Sequence, residues 1–123
     1  MPAQIEMFTN SRYPITNTTK TSLPVQIHDL DAPARLEQEL STGLPSDPKQ
    51  AKAVALKHLE ALGAERLAEM LNQAYEGTTQ AMNYALVKIP AVVFDHGSSV
   101  IYGITDIDDA IKRYRAWYQR EVL

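Results

Sequence analysis

Cysteine is absent from the sequence. Its absence excludes disulfide bonds, thiol nucleophiles, thiol redox chemistry, and the zinc and iron–sulfur sites that cysteine ligates. Long apolar runs are also absent, since none approaches the roughly 18 residues that a membrane-spanning helix requires. Positive charge is not in excess, because 12 Lys and Arg stand against 15 Asp and Glu, a net charge of −3. No global positive field therefore draws the chain to nucleic acid or anionic lipid.

A length of 123 residues is sufficient for one folded domain. Hydrophobic residues make up 45% and charged residues 22%, values typical of a soluble globular protein rather than of a disordered or fibrous chain. No internal repeat or second composition regime divides the chain. We therefore predict a single domain over residues 1–123, made of the segments 4–30, 31–88 and 89–123.

The first thirty residues predict two strands and a loop. Apolar and polar residues alternate in 4–9 and nearly so in 25–30, which is the pattern of strands with one buried face. Between them, Pro14 and the polar run 16–22 offer no periodic apolar face. We therefore expect residues 10–22 to form an exposed, mobile loop.

Residues typical of helix N-termini and C-termini divide the segment 31–88 into a short helix followed by a pair of helices. The residues that mark these boundaries are Asp31, Pro33, Gly43, Asp47, Pro48 and Gly63. Apolar residues at three-and-four spacing run through each helix. Gly77 lies inside the third helix at a cost of roughly 1 kcal/mol relative to Ala, which indicates close packing or a kink.

The last segment predicts a hairpin and a terminal helix. Ile89-Pro90 leads into the apolar run 91–94, which favours a strand buried on both faces. Turn residues at 95–98 join it to a second strand at 99–102, close enough to pair antiparallel. Thr105 is the predicted N-cap of a helix that carries an apolar stripe.

This order of elements predicts an α/β fold with a central mixed four-stranded sheet, an inserted helical pair, a C-terminal helix and no redox cysteines. The first two strands are expected to be parallel through a crossover and the last two antiparallel. That is the thioredoxin-like topology. It places a proline before the third strand, facing the loop after the first, and Ile89-Pro90 lies there.

Several short motifs carry a family resemblance when they are taken together in order. They are Phe8-Thr9-Asn10-Ser11, Leu30-Asp31-Ala32-Pro33, residues 43–48, Ala74-Tyr75-Glu76-Gly77, residues 88–95 and residues 100–106. In order and spacing the chain resembles a bacterial family of integrating conjugative element proteins. Members carry a domain of unknown function and accompany a genomic-island type IV secretion system.

The resemblance implies an exported, thioredoxin-like protein of the periplasm, distantly similar to the pilin-assembly factors of F-type conjugation systems. Its implied partners are other proteins of the conjugative transfer apparatus, without nucleic acid and without a membrane span in this chain. Because a strand-like segment begins at Gln4, we expect an export signal to have been removed from this chain. The family assigns no catalytic residues that this sequence could inherit.

Eight residues are candidates for partner or peptide binding: Asn10, Ser11, Arg12, Tyr13, Ile89, Pro90, Trp117 and Tyr118. In redox thioredoxin-like enzymes a cysteine pair follows the first strand, and residues 10–13 take that place here. The functional interpretation is a groove beside Pro90 that accepts an extended peptide by backbone pairing. The alternative is a plain loop that the fold tolerates.

The terminal helix places basic residues beside Tyr114, Trp117 and Tyr118. A nucleic-acid face is one interpretation. We favour a helix that covers the sheet and leaves aromatics at a protein interface, where Trp, Tyr and Arg concentrate.

Other chemistry has little support in the pattern. His28, His58 and His96 are scattered, and no nucleophile-elbow motif surrounds Ser11. Nitrogen and oxygen donors do not show a recognised metal-ligand spacing on one element. We interpret the residues that carry such donors as solvated turn and strand-edge residues; they are His28, Asp29, Asp31, Asp95 and His96. We therefore expect no metal, no cofactor and no enzymatic activity.

The expected function is that of a non-catalytic component of a conjugative transfer apparatus, acting by protein contacts during assembly. Two alternatives stay open. One is a chaperone-like binder of an extended client peptide, and the less favoured one is a hydrolase with a site near Ser11 and Pro90.

Overall fold

A computed structural model describes residues 4–18 and 23–122. Its elements in chain order are β1 Ile5–Thr9, β2 Val25–Asp29, α1 Ala32–Ser41, α2 Pro48–Leu62, α3 Ala64–Asn83, β3 Ala91–Phe94, a 3₁₀ turn Asp95–Gly97, β4 Ser99–Tyr102 and α4 Ile107–Val122. The chain forms two compact units. One comprises the residues up to Leu30 and from Gly77 onward, and the other spans Asp31–Glu76.

The first unit is built on a four-stranded sheet with the strand order β2-β1-β3-β4. Strands β1 and β2 are parallel, whereas β3 is antiparallel to β1 and to β4. These directions confirm the predicted mixed α/β sheet. The Ile89-Pro90 peptide bond immediately before β3 is cis.

One face of the sheet is covered by α4. Its buried apolar cluster comprises Ile5, Met7, Val92 and Phe94 from the strands and Ile107, Ala110, Ile111 and Tyr114 from the helix. The rings of Phe94 and Tyr114 stack at 4.4 Å between centroids. The stripe predicted for the terminal helix is therefore the face that closes this core.

The opposite face buries Phe8, Ala91 and Val93. Ala81 near the end of α3 and Tyr84 just after it pack against these residues. Strand β1 is thus buried along its whole length, and the prediction that it has one buried face is wrong. Period-two alternation shows which residues share a face, but it cannot show that both faces are covered.

Strand β2 differs from its prediction in which residues it buries. Its alternation suggested an apolar buried face, yet Ile27 is 51% exposed while His28 is only 4% exposed. The interpretation of His28 as a solvated strand-edge residue is therefore wrong.

Gly77 lies against β2. A Cβ atom at this position would come within 2.9 Å of the His28 Cβ and 3.2 Å of the Leu30 Cδ2. Real Cβ atoms essentially never come as close as 2.9 Å, so a side chain here would force β2 or α3 to move. The close packing predicted for Gly77 is confirmed.

The loop after β1 is held more firmly than its polar sequence suggests. Thr16 donates its N–H to the Thr105 carbonyl and accepts from the Ile107 N–H, each at 3.0 Å. The Asn17 Nδ2 donates to Asp106 Oδ2 at 2.7 Å, and Ile15 packs against the core under α4. The predicted exposure is confirmed at Ser11, Arg12, Pro14 and Thr16, but the bonds at Thr16 and Asn17 anchor this part of the loop at the start of α4. Residues 19–22 of the predicted loop lie outside the described residues.

Asp106, rather than the predicted Thr105, caps α4. The Asp106 Oδ1 accepts the N–H of Asp109 at 3.1 Å, which satisfies one of the amides that a helix start leaves unpaired. The other carboxylate oxygen of Asp106 holds Asn17. One side chain thus caps the helix and ties it to the loop after β1.

The second unit is helical and follows its sequence markers. Asp31 takes the N-cap position of α1, and the Asp47 side chain accepts from the Gln50 N–H at 3.2 Å to cap α2. Gly43 and Gly63 have φ values of +79° and +89°, which lie where glycine is favoured. Leu36 of α1 is buried, whereas α2 buries no residue.

Candidate functional site

The strand register places the candidate residues after β1 beside Ile89 and Pro90. Phe8 is paired with Ala91 in the antiparallel ladder of β1 and β3. Strand β1 ends at Thr9, and Pro90 immediately precedes Ala91, the first residue of β3. The structure therefore brings residues 10–13 and the cis-proline to the same end of the sheet.

The turn over residues 10–13 is closed by its own hydrogen bonds. The Thr9 hydroxyl donates to the Tyr13 carbonyl at 2.6 Å, and the Tyr13 N–H donates to the Asn10 carbonyl at 3.1 Å. The Asn10 Oδ1 accepts from the Arg12 N–H at 3.0 Å. Ser11 and Arg12 are exposed in this turn, while Pro90 is buried.

Neither His28 nor His96 meets Ser11 in the arrangement that nucleophilic catalysis requires. The His28 Nε2 is directed at Glu6, 3.0 Å away, inside the protein. His96 follows β3 at the opposite end of the sheet, where the Asp95 N–H bonds to the Gln4 carbonyl. The five residues of β1, roughly 16 Å of strand, separate that end from Ser11.

Trp117 and Tyr118 form a second and separate group. They follow Tyr114 on α4, whose ring stacks on Phe94 at the carboxyl end of β3. Ring centroids of Trp117 and Tyr118 lie 5.8 and 6.0 Å from that of Tyr114, and the two side chains are 37% and 39% exposed. An aromatic series thus leads from the core to the surface, at the other end of the sheet from Pro90.

Burial raises the pKa of Tyr114, and the nearby Asp95 carboxylate raises it further. Tyr114 therefore stays neutral and serves as the packed base of this aromatic group. The half-exposed rings beyond it are the ones available to a partner.

A buried polar cluster that the sequence did not predict lies between the sheet and the end of α3. The Glu6 Oε2 is 3.0 Å from the His28 Nε2, and the Tyr84 hydroxyl donates to Glu6 Oε1 at 2.5 Å. Glu6 is 1% exposed and His28 is 4% exposed. The hydrogen bond to Glu6, together with burial, raises the pKa of Tyr84 to about 12.

Aromatic contacts fix the orientation of this cluster. The Phe8 ring stacks on the His28 ring at 4.5 Å and meets the Tyr84 ring edge-on at 6.1 Å. Phe8 and His28 are paired across the parallel strands β1 and β2, so the stack follows from the register. Gly77 then allows α3 to approach His28 closely.

The cluster joins β1 and β2 to the residue that follows α3. Both carboxylate oxygens of Glu6 have a partner, as a buried carboxylate needs. Glu6 and His28 are both buried. One signal did point to the cluster, namely the acidic Glu6 among apolar neighbours in a strand of five residues, but a solvent-facing side of β1 explains the same pattern.

Within residues 4–18 and 23–122, no group of three or more His, Cys, Asp or Glu is placed to hold a metal ion. No helix in the described part of the chain is both long enough and apolar enough to cross a membrane.

One family model, described as "Protein of unknown function (DUF1525)", matches residues 2–120. The chain belongs to this family. The DUF1525 match extends over the sheet, the helices and both groups of candidate residues. No curated protein and no solved structure shows significant similarity to this DUF1525 chain.

Proposed function

We propose that this DUF1525 protein is a non-enzymatic, thioredoxin-like component of the transfer apparatus of an integrating conjugative element, a type IV secretion system. It acts in the periplasm, through contacts with other proteins of that apparatus during assembly. The observation that carries the proposal is the closed turn over residues 10–13 beside Pro90. In redox thioredoxin-like enzymes a cysteine pair occupies this position after the first strand. In this protein the same position holds a turn closed by side-chain-to-backbone hydrogen bonds.

The sheet supports the thioredoxin-like part of the proposal. Its strand order, its single parallel pair, and its position between the end of α3 and α4 are those expected of that topology. The conjugative context rests on the resemblance of the motifs in residues 88–95 and 100–106, which form β3, β4 and the connection to α4.

The surface supports action by protein contacts. Trp117 and Tyr118 leave more than a third of their area exposed at one end of α4. Trp and Tyr supply much of the binding energy where they become buried at interfaces. The exposed Ser11 and the buried His28, in contrast, give no support to a hydrolase.

The test is donor-to-recipient transfer of the parent element with this gene deleted and then restored. We expect transfer to be lost while excision of the element continues in the same cells, and we expect the restored gene to recover transfer. Normal transfer in the deletion strain would overturn the proposal. Lost excision would also overturn it, because the defect would then precede the apparatus.

A second candidate function is chaperone-like binding of an extended client beside Pro90. Among the described residues, Ile89 makes no backbone hydrogen bond, while the neighbouring Pro90 carbonyl accepts from Gly103. An extended segment that pairs with the backbone of Ile89 would bind there by strand addition. Peptide-array binding that is lost when residues 10–13 are replaced by a glycine-serine turn, with α4 unchanged, would support this function. Binding that survives the replacement would contradict it.

A further inference from the structure

A groove runs between the edge strand β4 and helix α4. Its volume is about 450 Å³, and its lining residues are Ser99, Val100, Ile101, Arg113, Tyr114, Ala116, Trp117 and Arg120. The floor is the packed Tyr114, and one wall is a strand that pairs with β3 on its inner side only, among the described residues. The groove lies wholly within the unit that contains the sheet.

The wall on α4 has a regular composition. Arg113, Trp117 and Arg120 stand at positions i, i+4 and i+7, which lie on one side of an α-helix because seven residues make almost two full turns. The wall therefore presents a half-exposed indole between two guanidinium groups. None of the described residues that line the groove is acidic.

One of the two arginines of this wall also has a partner on the helix. The Arg113 Nε bonds to Asp109 Oδ2 at 3.3 Å on the exposed surface of the helix. A guanidinium has five N–H donors, so this bond leaves donors that can reach a carboxylate in the groove. Arginine and tryptophan are also the residue types in which binding energy concentrates at interfaces.

The other wall supplies backbone groups. An edge strand presents a row of N–H and C=O groups on its outer side, and an extended peptide can pair with them as an added strand. Alternate side chains of such a strand would point towards α4, because successive residues of a strand face opposite sides. The groove thus offers both a main-chain partner and a side-chain partner.

We propose that this groove binds an extended acidic segment of a partner protein, which adds to β4 as a fifth strand. The recognised pattern is acidic-x-apolar-x-acidic. Arg113 and Arg120 are roughly 10 Å apart along the helix axis. Residues i and i+4 of a strand are roughly 13 Å apart, and long arginine side chains cover the difference. The apolar residue at i+2 then lies on Trp117.

This inference rests on the proposed function, because it names the kind of partner contact through which the protein acts. Peptide binding is favoured over nucleic acid because the groove is bounded by an edge strand and because the whole chain carries a net charge of −3.

The test uses fluorescence anisotropy with a labelled peptide that contains Asp-Thr-Leu-Thr-Glu between threonine flanks. We expect binding that the Trp117→Ala variant weakens about tenfold and the Arg113→Ala/Arg120→Ala variant weakens by a similar factor. Arg115→Ala is the matched control, since Arg115 lies on the same helix but faces the small cavity beside Tyr118. It should change the dissociation constant less than about twofold.

Two altered peptides separate the contributions of charge and backbone. Replacement of the acidic residues by lysine should abolish binding, and a proline at the central position should weaken it strongly, because proline lacks the N–H that pairs with β4. Amide signals of Ser99–Tyr102 should shift in the NMR spectrum when the acidic peptide is added. Circular dichroism of each variant is the control for retention of the fold.

Several results would overturn the inference. The acidic peptide could fail to bind, or the lysine peptide could bind equally well. Arg115→Ala could weaken peptide binding as much as the groove variants do, or a single-stranded oligonucleotide could bind the same arginines more tightly than the peptide does. These outcomes are independent of the transfer assay. If transfer is lost in the deletion strain but the acidic peptide does not bind, the proposed function stands and the proposal for the groove falls. If the peptide binds but transfer is normal in the deletion strain, the proposed function falls and the proposal for the groove stands.

Discussion

The face of the sheet under α4 and the opposite face bury different kinds of side chain. Under α4 the buried cluster is apolar apart from the hydroxyl of Tyr114. On the other face, a carboxylate, an imidazole and a phenol meet between Phe8 and the end of α3. Apolar burial is non-directional, whereas a buried polar cluster requires each group to be paired. The first face therefore supplies stability, and the second also fixes where β2 and α3 lie.

The largest expected effect comes from the apolar face. Phe94→Ala should lower the free energy of unfolding by about 3–5 kcal/mol, because it leaves a cavity where Phe94 stacks on Tyr114. Urea denaturation at neutral pH measures the loss. Val87→Ala is the control, since Val87 is 80% exposed and its truncation should cost less than about 0.5 kcal/mol. A Phe94→Ala loss as small as that of the control would contradict the packing described here.

The polar face is tested by separating one partner from the others. Glu6→Ala should cost about 3 kcal/mol or more, because His28 loses its buried partner and Tyr84 loses its acceptor. The double variant Glu6→Met/His28→Leu replaces both groups with apolar side chains and should be more stable than Glu6→Ala alone. The same urea experiment compares them. A double variant less stable than the single one would show that the pair itself is strongly stabilising.

Gly77 tests how closely α3 approaches β2. An ordinary Gly→Ala change inside a helix stabilises by up to about 1 kcal/mol. Gly77→Ala should instead destabilise by about 1–3 kcal/mol, because the new Cβ would meet His28 at 2.9 Å. Asn72→Ala, at an exposed position of the same helix, provides the comparison. Stabilisation by Gly77→Ala would mean that the helix does not lie against His28.

The smallest expected effect comes from the Tyr84 hydroxyl. Tyr84→Phe should cost about 1–2 kcal/mol at neutral pH, because Glu6 loses one of its two hydrogen bonds. Thermal unfolding followed by circular dichroism is sensitive enough to detect it. An unchanged midpoint would show that the bond to Glu6 contributes nothing.

The same residue predicts a dependence on alkaline pH. The pKa of Tyr84 is raised from the ordinary 10.0 to about 12 in the folded protein. Because the folded protein keeps a proton that the unfolded chain loses, this contribution is complete below about pH 10 and declines as pH rises towards about 12. The stability difference between wild type and Tyr84→Phe should therefore shrink between about pH 10 and about pH 12. A difference that stays constant over that range would contradict the raised pKa.

Local signals in the sequence predicted most of the fold. Strands β3 and β4 and the helix boundaries at Asp47 and Gly63 follow from turn, cap and glycine chemistry that acts over a few residues. The burial of Glu6 and His28 did not follow, because it depends on α3 reaching β2 through Gly77, some fifty residues away in sequence. The bond between Thr16 and Ile107 of α4 could not be predicted either, because it too joins residues that are far apart in sequence.

Part of the geometry around the candidate residues could be predicted. The placement of residues 10–13 at the same end of the sheet as Pro90 followed from the expected sheet, since both lie at one end of neighbouring strands. The separation of Trp117 and Tyr118 from them did not, because helix periodicity gives a face and not a position along the sheet. The groove beside β4 requires the direction of α4 across that edge strand, which only the assembled structure provides.

The central claim is that this protein acts through its surface and not through chemistry. The most direct measurement is the transfer frequency of the parent element in a deletion strain that carries either Ser11→Ala or Trp117→Ala/Arg120→Ala. The alleles must be produced at equal levels. The account predicts that Ser11→Ala restores transfer and that the α4 variant does not. Restored transfer with the α4 variant would contradict it.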